Sequence, residues 1–152
     1  MMRIVFAGSP EIAVPSLRMV AKEFEVIGVL TNQDSCCGRG LCIEAPEVKR
    51  EAERLGLPVF QPERLDAKFR DQIASLYPDI LVVVAFGRIF GPKFLSLFPL
   101  GGINLHPSLL PLYRGCSPIP AVIAAGDSET GVTIQRLALK MDTGDILSQI
   151  RV

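Results

Sequence analysis

The 152-residue chain has a single histidine, no excess of either charge, no C-x-x-C pair and no apolar run near bilayer length. Spanning a membrane takes ~20 consecutive apolar residues, so an integral membrane segment is excluded. Sixteen basic residues balance sixteen acidic ones. Binding a polyanion by charge alone is therefore excluded, and any nucleic-acid contact must be local or shared with another segment. Cys36, Cys37, Cys42 and Cys116, with one histidine beside them, supply no zinc spacing and read as free thiols of a reducing compartment. No metal is expected. The first apolar run ends in Gly8-Ser9-Pro10 without G-x-G-x-x-G, which disfavours NAD. That run is also too short for a signal peptide, so a cytoplasmic location is expected. No internal repeat, low-complexity tract or linker is visible.

What is present is strand-helix alternation. Residues 3–8, 25–31, 58–61 and 101–106 read as strands, and 79–86, the most apolar run, as a central parallel strand covered on both faces. Helices are expected over roughly 10–22, 45–55, 67–76, 92–98 and 118–125. Ser9 reads as the N-cap of the first, with Pro10 at its first position and Ile12, Leu17, Val20 and Ala21 inward. Gly56 closes the second. Residues 32–44 read as a loop, and 131–138 and 145–152 as a further pair of strands. The fold class is α/β, a doubly wound and mostly parallel sheet of the Rossmann-like kind. Its ligand site then lies outside the carboxyl ends of the strands. A last strand without a closing helix leaves apolar surface, and the chain is expected to be the front part of something longer, cut short at its C-terminal end.

Asn104-Leu105-His106 closes the strand 101–106. Alternate strand residues share a face, so Asn104 and His106 project together, an amide donor beside an imidazole. Asp142, in the turn Met141-Asp142-Thr143-Gly144-Asp145, could supply a carboxylate to that imidazole. Each residue also has a plainer reading: His106 as a buried histidine on a backbone partner, Asp142 and Asp145 as turn formers. Together the three suit acyl transfer to an amine. The amine attacks directly, and donors aimed at the developing oxyanion supply the largest catalytic contribution. Arg39, between Gly38 and Gly40, is either a solvated loop charge or a phosphate contact.

Several segments together resemble one family. They include Phe6-Ala7-Gly8-Ser9-Pro10, Gly38-Arg39-Gly40, Val83-Val84-Ala85-Phe86-Gly87 and Asn104-Leu105-His106. They continue with Ser108-Leu109-Leu110-Pro111, Tyr113-Arg114-Gly115 and Asp142-Thr143-Gly144-Asp145. The chain resembles the N-terminal catalytic domain of the methionyl-tRNA formyltransferases, among the enzymes that use 10-formyltetrahydrofolate, nearly from end to end. The resemblance implies formylation of initiator methionyl-tRNA in translation initiation. It assigns Asn104, His106 and Asp142 as the catalytic trio and Ser108, Leu109, Leu110 and Pro111 as the folate-lining segment. Phe86, Gly87, Arg88 and Ile89 become the loop that receives the pterin, and Arg39 the remaining contact to tRNA. Leu41 and Cys42 stand where the family usually has lysines. The resemblance also implies a C-terminal tRNA-binding domain beyond residue 152 and a monomer at full length. Rival readings are a transferase acting on an amino sugar or glycinamide nucleotide, a hydrolase releasing formate from the same folate, and an inactive folate-binding fragment.

Overall fold

In this computed structural model, which describes residues 1–37 and 42–152, the run Ile80–Val84 lies at the middle of the sheet. In chain order the strands are β1 (Arg3–Gly8), β2 (Glu25–Leu30), β3 (Ser35–Cys37), β4 (Cys42–Glu44), β5 (Val59–Phe60), β6 (Ile80–Val84), β7 (Gly102–His106), β8 (Gly131–Arg136) and β9 (Ile146–Arg151). The main sheet is seven-stranded, in the order β5-β2-β1-β6-β7-β8-β9. β5, β2, β1, β6 and β7 pair parallel, while β8 and β9 run antiparallel. The chain winds outward from β1 in one direction through β2 and β5, then returns to wind the other way from β6. The reversal lies between β1 and β6, where doubly wound sheets open a crevice at their carboxyl ends.

Both faces of the parallel strands are covered. Val5, Leu81 and Val83 pack with Phe69 and Ile73 of the helix Ala67–Ala74 and with Phe94 of the short helix Pro92–Leu95. Phe6, Val29 and Val84 pack on the other face with Leu17 of Val14–Glu23 and with Val48 and Ala52 of Glu47–Arg54. This division follows the twofold alternation of a strand, since Val5 and Phe6 are neighbours that point to opposite faces. Asp66 caps the helix after it by accepting from the Phe69 N–H at 2.9 Å.

Four expectations need correction. Ser9 is not a helix cap: its Oγ accepts instead from the Asn32 N–H at 3.0 Å and the Thr31 hydroxyl at 3.3 Å, tying the end of β1 to that of β2. The chain turns through a short 3₁₀ helix, Glu11–Ala13, before the α-helix begins at Val14. That turn carries Ile12 outward, where it is 44% exposed. Thirdly, residues 32–44 are not plain loop, because β3 and β4 form an antiparallel hairpin there. The helix expected over 45–55 starts at Glu47, since Ala45 precedes a proline and is held out of the helical region.

Between the helices Val14–Glu23 and Glu47–Arg54, Glu51 is buried and takes both Arg18 (2.7 and 3.2 Å) and Arg54 (2.6 and 3.0 Å). The guanidinium of Arg54, then that of Arg18, holds its carboxyl down to about 2, from an ordinary 4.5. A depressed carboxylate stabilises the fold above its unfolded value, and that contribution fades as pH falls toward the folded one. Melting temperature is therefore expected to drop between about pH 4.5 and 2. Glu51→Gln should lower it at pH 7 and flatten that acid limb. An acid limb equally steep in the variant would assign the effect to other groups.

Candidate active site

The crevice at the sheet reversal holds a cavity of about 740 Å³. That is within the ~300–1,000 Å³ range of small-molecule sites. Its floor is the carboxyl ends of β6 and β7, from Val83 to Phe90 and from Asn104 to Pro107. One wall is Pro10 and Ile12, which explains why Ile12 faces outward. The opposite wall is Gly115 to Pro120 and the segment from Gln135 to Asp142.

Asn104 and His106 both border this cavity, on the same face of β7. The His106 Nε2 lies 2.8 Å from the Tyr113 carbonyl oxygen. A carbonyl can only accept, so Nε2 carries the hydrogen and Nδ1 is the nitrogen left for chemistry. Asp142 Oδ1 lies 3.6 Å from Nδ1, with both side chains buried. That separation is too long for a direct hydrogen bond. The carboxylate itself is held twice: Oδ2 accepts from the Gly115 N–H and Oδ1 from the Gln135 Nε2, each at 2.8 Å. Asn104's amide has no hydrogen-bond partner among the described residues and is free to meet a ligand. Two neighbours on β7 and a carboxylate distant in sequence thus converge on one cavity, which is strand-end geometry suited to an acyl or formyl centre.

The formyl transferase family profile matches residues 2–152. The chain belongs to the formyl transferase family. It is 54% identical, over 160 aligned positions, to a methionyl-tRNA formyltransferase of Treponema pallidum, covering 100% of this chain and 50% of that protein. The chain spans about half the length of the curated relatives it matches. The phosphoribosylglycinamide formyltransferase of Bacillus halodurans has the same fold, with TM-score 0.81 at 24% identity over 100% of this chain and 79% of that one. Glycinamide ribonucleotide transformylase 1 of Geobacillus kaustophilus gives TM-score 0.77 at 27% identity, over 100% and 82%.

Within this formyl transferase domain, Phe86, Gly87, Arg88 and Ile89 border the cavity. Gly87 has φ +76°, and nothing lies within 4 Å of where a side chain would begin, so a flat ring can approach the backbone there. Arg88 does not point a charge into the cavity as a free group. It donates to the carbonyls of Pro62 (2.8 Å) and Glu63 (3.1 Å), and so fixes the loop.

Ser108, Leu109, Leu110 and Pro111 do not border the cavity, whose wall passes from Pro107 to Gly115. Ser108 and Leu110 are buried, and the fully buried Thr133 of β8 holds them: its hydroxyl donates to the Ser108 carbonyl (2.7 Å) and accepts from the Leu110 N–H (3.2 Å). Gln149 of β9 adds a bond to the Leu110 carbonyl at 2.9 Å. This segment sets the position of Tyr113 and hence of the imidazole. Arg39 lies outside the described residues.

Sequence reasoning passed over Gln135, and it quoted Tyr113 and Gly115 within a motif without giving them a role. Tyr113 and Gly115 act through backbone groups, which leave no mark on side-chain pattern. Gln135 did leave one. In β8, Gly131, Thr133 and Gln135 take the buried side of the alternation, so a long amide stands at an inward position.

Proposed function

We propose that this domain transfers a formyl group from 10-formyltetrahydrofolate to the amino group of methionyl-tRNA, as the catalytic part of a translation-initiation enzyme of the cytoplasm. The observation that carries the reading is His106, its Nε2 committed to the Tyr113 carbonyl and its Nδ1 facing Asp142 on the cavity wall. The similarity to methionyl-tRNA formyltransferases supports the acceptor. The co-substrate supplies the electrophilic formyl carbon. Phe86, Gly87 and Ile89 hold the flat ring beside an apolar wall. Asn104 donates through its amide to the oxygen that gains negative charge as the amine adds, and Nδ1–H of the imidazolium donates to the same oxygen. Asp142 stabilises the imidazolium and accepts, through water, the proton that the amine loses. No protein nucleophile is needed. Contacts to the tRNA body are proposed of the whole protein, of which Arg39 would supply one.

Binding is testable directly. A folate carrying an unreactive formyl group should raise the melting temperature. Saturation at a hundredfold excess over Kd is worth about 2.7 kcal/mol, or roughly 5–10 °C for a domain of this size. An unchanged melting temperature would remove the folate reading. Offering methionyl-tRNA, an amino sugar nucleotide, glycinamide ribonucleotide or no amine then sorts the acceptors. Formate release without an amine would mark a hydrolase.

A further inference from the structure

We propose that Gln135 is a positioning residue for the transfer, carrying the polarity of the Asp142 carboxylate across the sheet so that Asn104 presents its NH₂ to the cavity. The inference rests on the formyl-transfer reading. A primary amide can face a ligand with its oxygen or its nitrogen, and only the nitrogen stabilises an oxyanion. Nothing in Asn104's own described contacts fixes that choice.

Gln135 can fix it. Asn104 and Gln135 are direct partners in the antiparallel pairing of β7 with β8. Such partners have Cβ atoms about 4.5–5.5 Å apart on one face, within reach of two amide side chains. Asp142 Oδ1 is an obligate acceptor, so the Gln135 end that meets it at 2.8 Å must be the nitrogen. The oxygen, Oε1, is then turned away from the carboxylate, and it is buried with no hydrogen-bond partner among the described residues. Gln135 as a whole is 2% exposed. A buried orphan acceptor is costly, and a donor that reaches it gains accordingly. The Asn104 Nδ2, its neighbour across the strand pair, is the donor assigned to it: once a rotation of the amide brings one hydrogen to Oε1, the other is aimed into the cavity. Carboxylate, glutamine and asparagine then form one chain of fixed direction.

Two variants separate this from a merely structural role. Gln135→Met keeps length and burial and removes both polar ends. Its kcat should fall about tenfold or more, a share of the ~10²-fold or larger loss on deleting an oxyanion donor. KM for the formyl donor should stay within about twofold, as for an interaction made chiefly in the transition state. Gln135→Glu restores the polarity only while the new carboxyl is protonated, when its O–H donates to Asp142 and its carbonyl accepts from Asn104. Turnover should therefore survive on the acid side and fall as pH rises through roughly 5 to 8, the neighbouring carboxylate having raised the new group's pKa. Wild-type kcat in Gln135→Met, or an unaltered pH profile in Gln135→Glu, would overturn the proposal. The ¹⁵N side-chain resonances of Asn104 give a readout free of turnover. They should move between wild type and Gln135→Met, and identical positions would overturn the link. A wild-type chain that binds no formyl donor while those resonances still move would overturn the formyl-transfer reading and the positioning role, but not the hydrogen bond.

Discussion

Replacing His106 with alanine is expected to cut formyl transfer by about 10²–10³-fold, since in the proposed mechanism the imidazolium donates to the oxyanion. The loss should lie in kcat, because the cavity wall at Phe86 to Ile89, proposed to hold the folate, does not depend on the ring. The variant also leaves the Tyr113 carbonyl without its 2.8 Å partner. An unsatisfied buried acceptor costs about 1–3 kcal/mol, so melting should fall by several degrees while the domain still folds. The two effects differ greatly in size, and that difference is the test. Turnover within tenfold of wild type in a folded variant would mean that His106 is only a packed histidine holding the Tyr113 loop.

How far the site could be read in advance depends on whether side chains or backbone make it. The twofold alternation of β7 places Asn104 and His106 on one face, and the structure keeps them there. The convergence of Asp142 on His106 is a different matter. They are brought together because β8, antiparallel to β7, runs from beside His106 to beside Ile103, and the segment after Arg136 folds back so that Asp142 meets Gln135 and faces His106, a return that no local pattern dictates. Ser108 to Pro111 illustrates the opposite limit. A Pro-containing loop after a candidate catalytic strand reads as lining, yet its buried serine and leucine are fixed to Thr133 and do not border the cavity.

The fold follows the same rule. The run of five apolar residues in β6 could only be a strand covered on both faces, and it is the fourth of seven. Ser9-Pro10 looked like the opening of a helix, because a capping hydroxyl and a proline are the usual signals. The hydroxyl was claimed by β2 instead, through Thr31 and Asn32, residues more than twenty positions away. A tertiary hydrogen bond overrode a local preference, and Ile12 swung outward onto the cavity wall as a consequence. Such competition between a near partner and a distant one is invisible until the strands are placed.

Gly144→Ala should damage the domain as severely as any substitution in the site, although Gly144 does not border the cavity. A Cβ at this position would overlap the carbonyl oxygen of Arg136 and stand 2.7 Å from its carbonyl carbon. Both are backbone atoms at the end of β8, where the Arg136 N–H also donates to the Asp145 carbonyl at 2.9 Å. Neither can rotate aside as a side chain would. Relief requires the turn and the strand end to separate, which breaks that backbone bond and pulls on Asp142, two residues away. Overpacking of a tight contact costs about 1–3 kcal/mol, and the lost backbone bond adds about 1 more. A fall of roughly 5–15 °C in melting temperature follows for a domain of this size. The carboxylate sits only 3.6 Å from Nδ1 and depends on Gly115 and Gln135 for its orientation, so small displacement of the turn should also slow transfer in the molecules that remain folded. Differential scanning calorimetry beside single-turnover kinetics measures the two losses separately. An alanine variant that melts within about 2 °C of wild type, well under the shift expected per few kcal/mol, would show that the turn can open without strain and that Asp142 is not held by it.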